Sequence, residues 1–373
     1  MDPELTVRAG ELVALRLFDI AYAIDLAGAE AAWMARAGAE ARRSRLTHAP
    51  PKAVAFGVPP LELPLEPLQL RLEEVEVLAR VRVRLYDFGV AALALRLDAG
   101  HLAWPAFAAR LDALGRAVGP AAADAPWDRL RQRVVDAVAP ALDRPAADGH
   151  LQEDYLLGVV QAFDRPLDAA ALRERVDLAA LLSGETRPLS AGARRDLLAH
   201  AYSYYADDLV VLTWDRAFVY EPRGDADVAD VIEVANAQLV EFRYYDTLLD
   251  NELPRMYARV QEARGTGSLL AARRFAHLAR GLYMLVAEAT ELTEKVDNAL
   301  QVTGDVYLAR VYSAALGLFR VPALSASVDR KLAIIRDTYA ALYEEASSRR
   351  SEWLEIAIVL LIVLEVVLSL LRP

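Results

Sequence analysis

Two clusters have residue types and spacing that suit chemistry. Tyr202-Ser203-Tyr204-Tyr205-Ala206-Asp207-Asp208 sets phenol rings beside carboxylates on one short segment. Hydroxyls and acids so grouped can orient a polar ligand. The same run also suits a helix end that packs its rings on a sheet. Arg243 with Asp246 and Asp250 makes an i, i+3, i+7 strip in a helical stretch. Such a strip forms intrahelical ion pairs, each contributing a few tenths of a kcal/mol, or a docking face for the rest of the chain or a second subunit. Tyr202, Tyr204, Tyr205, Asp207, Asp208, Arg243 and Asp246 are the candidate ligand or docking residues.

No catalytic constellation accompanies them. His48, His101, His150, His200 and His277 are scattered, without the HxxxH or HExxH spacing of a zinc site. P-loop, GxGxxG and GxSxG patterns are absent. Cysteine is missing altogether, which excludes disulfides and thiolate sites. No catalytic, metal or cofactor residue is therefore expected. Asp19 and Asp87 read as turn formers rather than as paired ligand carboxylates. A net charge of −11 argues against a nucleic-acid partner. Of 42 basic residues only Lys52, Lys295 and Lys331 are lysine, and the wealth of Arg, Ala and Leu suggests a GC-rich bacterial genome.

The elements that must position these residues follow from periodicity. Residues 11–26 read as strand with a turn at Asp19, followed by a helix over Gly28–Arg45. Pro50, Pro51, Pro59, Pro60, Pro64 and Pro67 mark a stiff connector over 50–67. In 75–97, Ala79, Val81, Val83 and Leu85 alternate with Arg80, Arg82 and Arg84, which predicts one buried and one wet face. Asp87-Phe88-Gly89 turns the chain back into a second strand. Helices are expected over 104–118 and 127–138, a strand at 154–163, two short helices over 168–182 and 190–202, and a hairpin at 208–221 turning at Asp215-Arg216. Arg16–Ala21 resembles Arg84–Gly89, which suggests a duplicated hairpin-plus-helix unit. The fold class is thus α+β: a ferredoxin-like sandwich over 1–222, then a helical coiled-coil stalk over 226–350.

The stalk reads as antiparallel helices. One runs over 226–265 with Pro254 inside it and turns at Gly265-Thr266-Gly267. The next carries a heptad seam through Leu278, Leu282, Leu285, Ala289 and Val296. The last carries Val328, Leu332, Ile335, Tyr339 and Leu342, and the spacing runs on into 351–373. From Trp353 to Leu371 only Glu355, Glu365 and Ser369 are polar. At about 1.5 Å per residue this stretch spans roughly 28 Å, the thickness of a bilayer core. A single-pass C-terminal transmembrane helix is expected. Glu355, Ile358, Ile362, Glu365 and Ser369 share one stripe, the expected face for a partner helix. No signal peptide is read at the N-terminus, and Arg349 and Arg350 precede the span, so the bulk is expected on the cytoplasmic side of the inner membrane.

Several segments resemble the Required for Meiotic nuclear Division family: Leu85-Tyr86-Asp87-Phe88-Gly89-Val90, Leu198-Ala199-His200-Ala201-Tyr202-Ser203, and the terminal Arg350–Glu355 with Leu361–Val367. The resemblance implies a domain of unknown function, not an enzyme, in membrane-bound homo-oligomers. Its mitochondrial role in translation does not transfer to a bacterial chain. Residues and resemblance together lead to a tail-anchored, self-associating scaffold with lipid and a second copy of the chain as partners. The alternative is a membrane-tethered small-ligand sensor or enzyme built on the α+β domain. An ion-transport assembly would need a second span, and the sequence holds one.

Overall fold

The fold is a computed structural model that describes residues 5–37, 42–43, 54–146, 151–185, 187–224, 227–264, 268–302 and 306–370. Two compact units result, Met1–Tyr244 with Lys295–Pro322 and Tyr245–Glu294 with Ala323–Pro373. The class is mixed α+β, with strands in the N-terminal part and helices in the C-terminal part.

The chain opens with β1 (Thr6–Asp19), β2 (Ala21–Ile24), α1 (Leu26–Ala37), β3 (Arg42–Arg43), β4 (Val54–Phe56) and β5 (Leu61–Leu72). It continues through β6 (Val75–Leu85), β7 (Val90–Asp98), β8 (Leu102–Ala103), α2 (Trp104–Val118), α3 (Trp127–Val138), β9 (Leu142–Pro145) and β10 (Gln152–Phe163). Next come α4 (Ala169–Arg175), α5 (Leu178–Ser183), α6 (Ala191–Leu197), β11 (Ala201–Tyr202), β12 (Leu209–Leu212) and β13 (Arg216–Tyr220). The remainder is α7 (Asp227–Arg264), α8 (Ser268–Asp297), β14 (Leu300–Val302), α9 (Val306–Leu318) and α10 (Val321–Leu370).

The frame of the first unit is a ten-stranded sheet in the order β11-β12-β13-β10-β1-β7-β6-β5-β3, with β8 added to β1. Among the described strands only β10 and β13 pair in parallel. Strand β1 lies centrally because its residues are apolar on both faces, as a strand covered on both sides must be. Leu12, Ala14 and Phe18 join a core with Trp33 of α1, Phe107 of α2 and Trp127 of α3. Val13, Leu15 and Leu17 are equally buried on the opposite face. There Tyr155 packs edge-on against Phe319 at 5.5 Å, and the start of α7 buries Val228, Val231, Ile232 and Ala235.

Six expectations are corrected. The sheet is larger than a ferredoxin-like sandwich, and the duplicated hairpin does not form. Asp87-Phe88-Gly89 closes a tight turn between β6 and β7, whereas Ile20-Ala21 leads into β2, which leaves the sheet to pair with β9. The proline-rich stretch is not a loop at its C-terminal end. Leu61–Leu72 pairs with β6, and the register shifts between Leu65 and Leu68, where Pro67 sits. A bulge tolerates a residue that cannot donate to the ladder. The helix expected to reach Arg45 does not, since Arg42–Arg43 form β3, and the two short helices are three, α4, α5 and α6. A strand pattern was not expected beyond 224, yet β14 pairs with β4. Pro50, Pro51 and the turn at 265–267 lie outside the described residues.

In the second unit α7, α8 and α10 pack together. Leu249 and Met256 of α7, Ala279 and Ala289 of α8, and Val328, Ile335 and Leu342 of α10 are buried. Lys331 of α10 donates to Asp246 Oδ1 at 2.7 Å and lies 2.6 Å from Asp250. Helix α7 runs on through Pro254.

Candidate functional site

Two polar assemblies in the first unit need a physical account. One is closed and buried. Arg84 Nη1 lies 2.6 Å from Asp230 and 3.5 Å from Glu233 of α7. Arg84 Nε lies 3.6 Å, and Arg82 Nη1 3.4 Å, from Glu62 of β5. The Tyr86 hydroxyl donates to Glu233 at 3.0 Å. Burial by itself lowers the pKa of the Arg84 guanidinium; the charges of Asp230 and Glu233 outweigh that and hold it well above its usual value. The Tyr86 phenol is pushed well above its usual value, first by burial and then by Glu233. Arg80 is exposed as alternation predicts, but Arg82 is half-buried and Arg84 only 4% exposed, so the arginine face of β6 is wet at one end and buried at the other. Alternation decides which residues share a face, and α7 covers this one. The acids at 227, 230 and 233, spaced by three along the start of α7, are the sequence signal that could have revealed it.

The other assembly is open. A cleft of about 400 Å³ lies over β1 and β10 at Ala14, Leu15, Asp154 and Tyr155. The last turns of α2 wall one side with Asp112, Gly115 and Arg116, and Trp127 of α3 closes it. Gly184, the C-cap of α5, and the β12–β13 turn with Asp215 and Arg216 form the other side. Apolar periodicity builds these walls: Phe107, Leu111, Leu114 and Val118 recur on one face of α2 and are buried, which leaves Asp112 and Arg116 facing outward.

The turn is held from below. The Tyr155 hydroxyl sits 3.0 Å from Thr213 O and 2.8 Å from Arg216 O. The Thr213 hydroxyl accepts the Arg216 backbone N–H at 3.0 Å. Arg216 Nη1 donates to Asp112 Oδ1 at 2.5 Å and to Leu181 O at 3.0 Å. Gly184 makes room for that guanidinium, because a Cβ there would stand 2.2 Å from Arg216 Nη2. Burial raises the Asp215 pKa, with Asp154 adding to the effect and Thr213 and Arg216 opposing it. Beneath the cleft, Arg16 is 4% exposed and donates to Val118 O at 3.2 Å. Its guanidinium lies 4.0 Å from Asp154 and 5.7 Å from the centre of the Trp127 ring. The Nε atoms of Arg16 and Arg216 are both buried without a hydrogen-bond partner.

The residues singled out by sequence are distributed differently. Tyr202, Tyr204 and Tyr205 form an aromatic surface rather than a pocket. Tyr204 packs at 4.7 Å on Tyr205 and 5.6 Å on Tyr307, and the Arg223 and Arg310 guanidinium groups lie over Tyr205 and Tyr202. Asp208 is buried and accepts the backbone N–H of Tyr204 at 2.7 Å and of Tyr205 at 3.1 Å, so it shapes the loop. Asp207 is exposed. Arg243 does not pair within its own helix: it meets Glu153 of β10, while Asp246 pairs with Lys331. Glu355, Ile358, Ile362 and Glu365 are exposed on one stripe of α10; the side chain of Ser369 lies outside the described residues. Asp19 is a buried turn former whose carboxyl burial lifts to about 7. The cleft residues Asp112, Asp154 and Gly184, and Arg16 beneath them, escaped sequence reasoning, and Asp215-Arg216 entered it only as a turn. Arg16 was the visible signal, a lone charge within the apolar strand Leu12–Phe18.

Residues 9–227, more than half of the chain, match the family described as Uncharacterized protein MJ0711, N-terminal domain. The chain belongs to this family. The MJ0711 protein of Methanocaldococcus jannaschii is 25% identical over 242 residues, covering 65% of this chain and 73% of that protein. No solved structure matches the chain. The stretch matched by the MJ0711 N-terminal domain family contains every residue that lines the cleft. A family without an assigned activity agrees with the expectation of an unknown-function domain; the match is to the MJ0711 family and does not extend to the Required for Meiotic nuclear Division family. The relative is archaeal, so the bacterial origin inferred from composition gains no support.

Proposed function

We propose that the protein is a membrane-anchored, self-associating interaction module without catalytic activity, attached through the C-terminal part of α10. One observation carries this reading. Ile356, Ile358, Val359, Leu360, Leu361, Ile362, Val363, Leu364, Val366 and Val367 are each 45–64% exposed and occupy every side of the helix. Such a surface has no stable place in water. Among the described residues no single helix is long and apolar enough to cross a membrane. The apolar stretch from Trp353 lies within α10, which is helical as far as Leu370, and Arg349 and Arg350 favour a cytoplasmic first unit. Val328, Leu332, Ile335 and Leu342 of the α10 seam are buried within the chain, and self-association is assigned to the stripe of Glu355, Ile358, Ile362, Glu365 and Ser369. A carboxyl such as Glu365 at mid-membrane costs roughly 3 kcal/mol on insertion scales, a cost that a facing helix offsets. Kinship with the Required for Meiotic nuclear Division family belongs to the same proposal and rests on this terminal segment.

The test is flotation of the full chain with phosphatidylcholine vesicles, beside a version ending at Arg350. Co-flotation of the full chain alone is expected. Retention of the full chain in the aqueous fraction would overturn the reading. The chain has no cysteine, so Ile362→Cys introduces a lone thiol. Oxidation in vesicles is expected to give a covalent dimer, and a monomer would remove the self-association.

A second reading, that the first unit senses a small ligand, is favoured by the open cleft lined by Asp112, Asp154, Asp215 and Arg216.

A further inference from the structure

We propose that the end of the second unit where α7 and α8 meet binds anionic phospholipid headgroups, with Arg255, Arg259 and Arg280 facing the lipid phosphates. The inference rests on the first reading above, attachment through α10, and adds the class of lipid that the attachment selects.

Charge is distributed unevenly along the chain. Residues 253–281, which close α7 and open α8, hold six arginines and a single acid, Glu262, on a chain whose net charge is −11. Arg255, Arg259 and Arg280 are exposed. Arg255 pairs at 2.7 Å with Glu252 one turn earlier, yet its side chain stays 64% exposed. Tyr257 is 51% exposed among them, and a ring with a polar tip suits the boundary between headgroups and water.

The same end is where α10 leaves the bundle. Lys331 of α10 reaches Asp246 and Asp250. Two turns later Tyr339 lies 5.9 Å from Tyr283 of α8. Residues between Glu252 and Val260 of α7 share a cleft with residues between His277 and Leu285 of α8, so Tyr283 stands level with α7 residues beyond Asp250. From Lys331 to Tyr339, α10 therefore advances towards the α7–α8 end. Tyr283 lies 15 residues past Ser268, the first residue of α8. At equal rise α10 comes level with that end about 15 residues past Tyr339, where the apolar stretch from Trp353 begins.

An anchor at this point brings the arginines to the headgroups. The attraction of an arginine to an anionic leaflet acts within about a Debye length, roughly 10 Å. The guanidinium fork matches a pair of phosphate oxygens. Because the anchor holds the end in place, contacts too few to retain a nucleic acid near physiological salt are enough to select lipid.

The test dilutes the full chain from detergent into an equal mixture of two vesicle populations, one of phosphatidylcholine alone and one that also contains phosphatidylglycerol, separated afterwards by density. A net charge of −11 without a local basic contact predicts repulsion from the anionic vesicles. The expected result has the opposite sign: at low salt at least about fivefold more chain on the phosphatidylglycerol vesicles, the effect of one arginine at the surface. In about 1 M salt the preference is expected to vanish while capture persists. Arg255→Gln, Arg259→Gln and Arg280→Gln together replace exposed side chains; they are expected to leave the melting temperature unchanged and to abolish the preference. Equal capture, or a preference for phosphatidylcholine, would overturn the inference and leave the anchor standing. A preference that survives the triple substitution would overturn the assignment to this end of the bundle. Capture by neither population would overturn the anchor reading and the inference with it.

Discussion

Burial lifts the Asp19 carboxyl from its ordinary range to about 7, with the backbone N–H of Ala21 opposing the shift. The folded chain therefore holds a proton that the unfolded chain releases near pH 4. The stabilisation is fully present below that pH and is lost as pH rises through about 7. Asp19→Asn is expected to flatten the fall in stability between pH 4 and 7 and to stabilise the protein at pH 8, by at most about 4 kcal/mol. Urea unfolding across that pH range reads the effect. Two glycines make a second contrast. Gly89 has φ +97°, and a Cβ there would meet the Ala21 carbonyl at 1.9 Å, an atom fixed in the backbone. Gly184 has φ +62°, and its Cβ would meet the guanidinium end of Arg216, a side chain that can shift only at the expense of its bonds to Asp112 and Leu181. Gly184→Ala is expected to cost at least about 1 kcal/mol of stability, and Gly89→Ala more; urea midpoints rank them. The sequence revealed Gly89 through its turn motif. Gly184 was invisible, because its need for space comes from Arg216, far along the chain.

Strand β6 shows what element-level patterns can and cannot reveal. Its alternation placed Val81, Val83 and Leu85 on one face and Arg80, Arg82 and Arg84 on the other, and the structure keeps that division. Coverage of the second face by α7 was not readable, because a period of two carries no information about a neighbour. Arg84 is thereby an interior charge that depends on Asp230 and Glu233. Arg84→Met removes the nearest counter-ion of both buried acids, leaving Asp230 only Arg82 Nη2 at 3.8 Å, and is expected to cost about 3–5 kcal/mol. Replacing Arg84, Asp230 and Glu233 together by apolar residues is expected to recover most of that loss. Tyr86→Phe, which removes one hydrogen bond to Glu233, is expected to cost about 1–2 kcal/mol. Chemical denaturation of the variants ranks the effects. Strand β5 is the complementary lesson: prolines predicted a loop, yet pairing with β6 and a bulge at Pro67 override local preference.

At the scale of the molecule, the anchor proposal and the net charge of −11 make separable predictions. Attachment through an apolar helix is insensitive to ionic strength, so flotation with vesicles is expected to survive about 1 M salt. Loss of flotation in salt would point to a charged surface contact instead. Filter binding to duplex DNA near physiological salt is expected to give no retention, since phosphate contacts need a basic face. Sequence alone determined the mixed α+β class, the order of most strands and helices, and the apolar run near residue 360. Those features follow from residues close together in the chain, where local periodicity and turn chemistry act. Tertiary structure alone decided the extent of the sheet, the cover over Arg84 and the cleft. Arg16, Asp112, Asp154, Gly184 and Arg216 meet only after register and packing bring five distant segments together. Their pairings are set by distances in space, and no spacing along the chain encodes them.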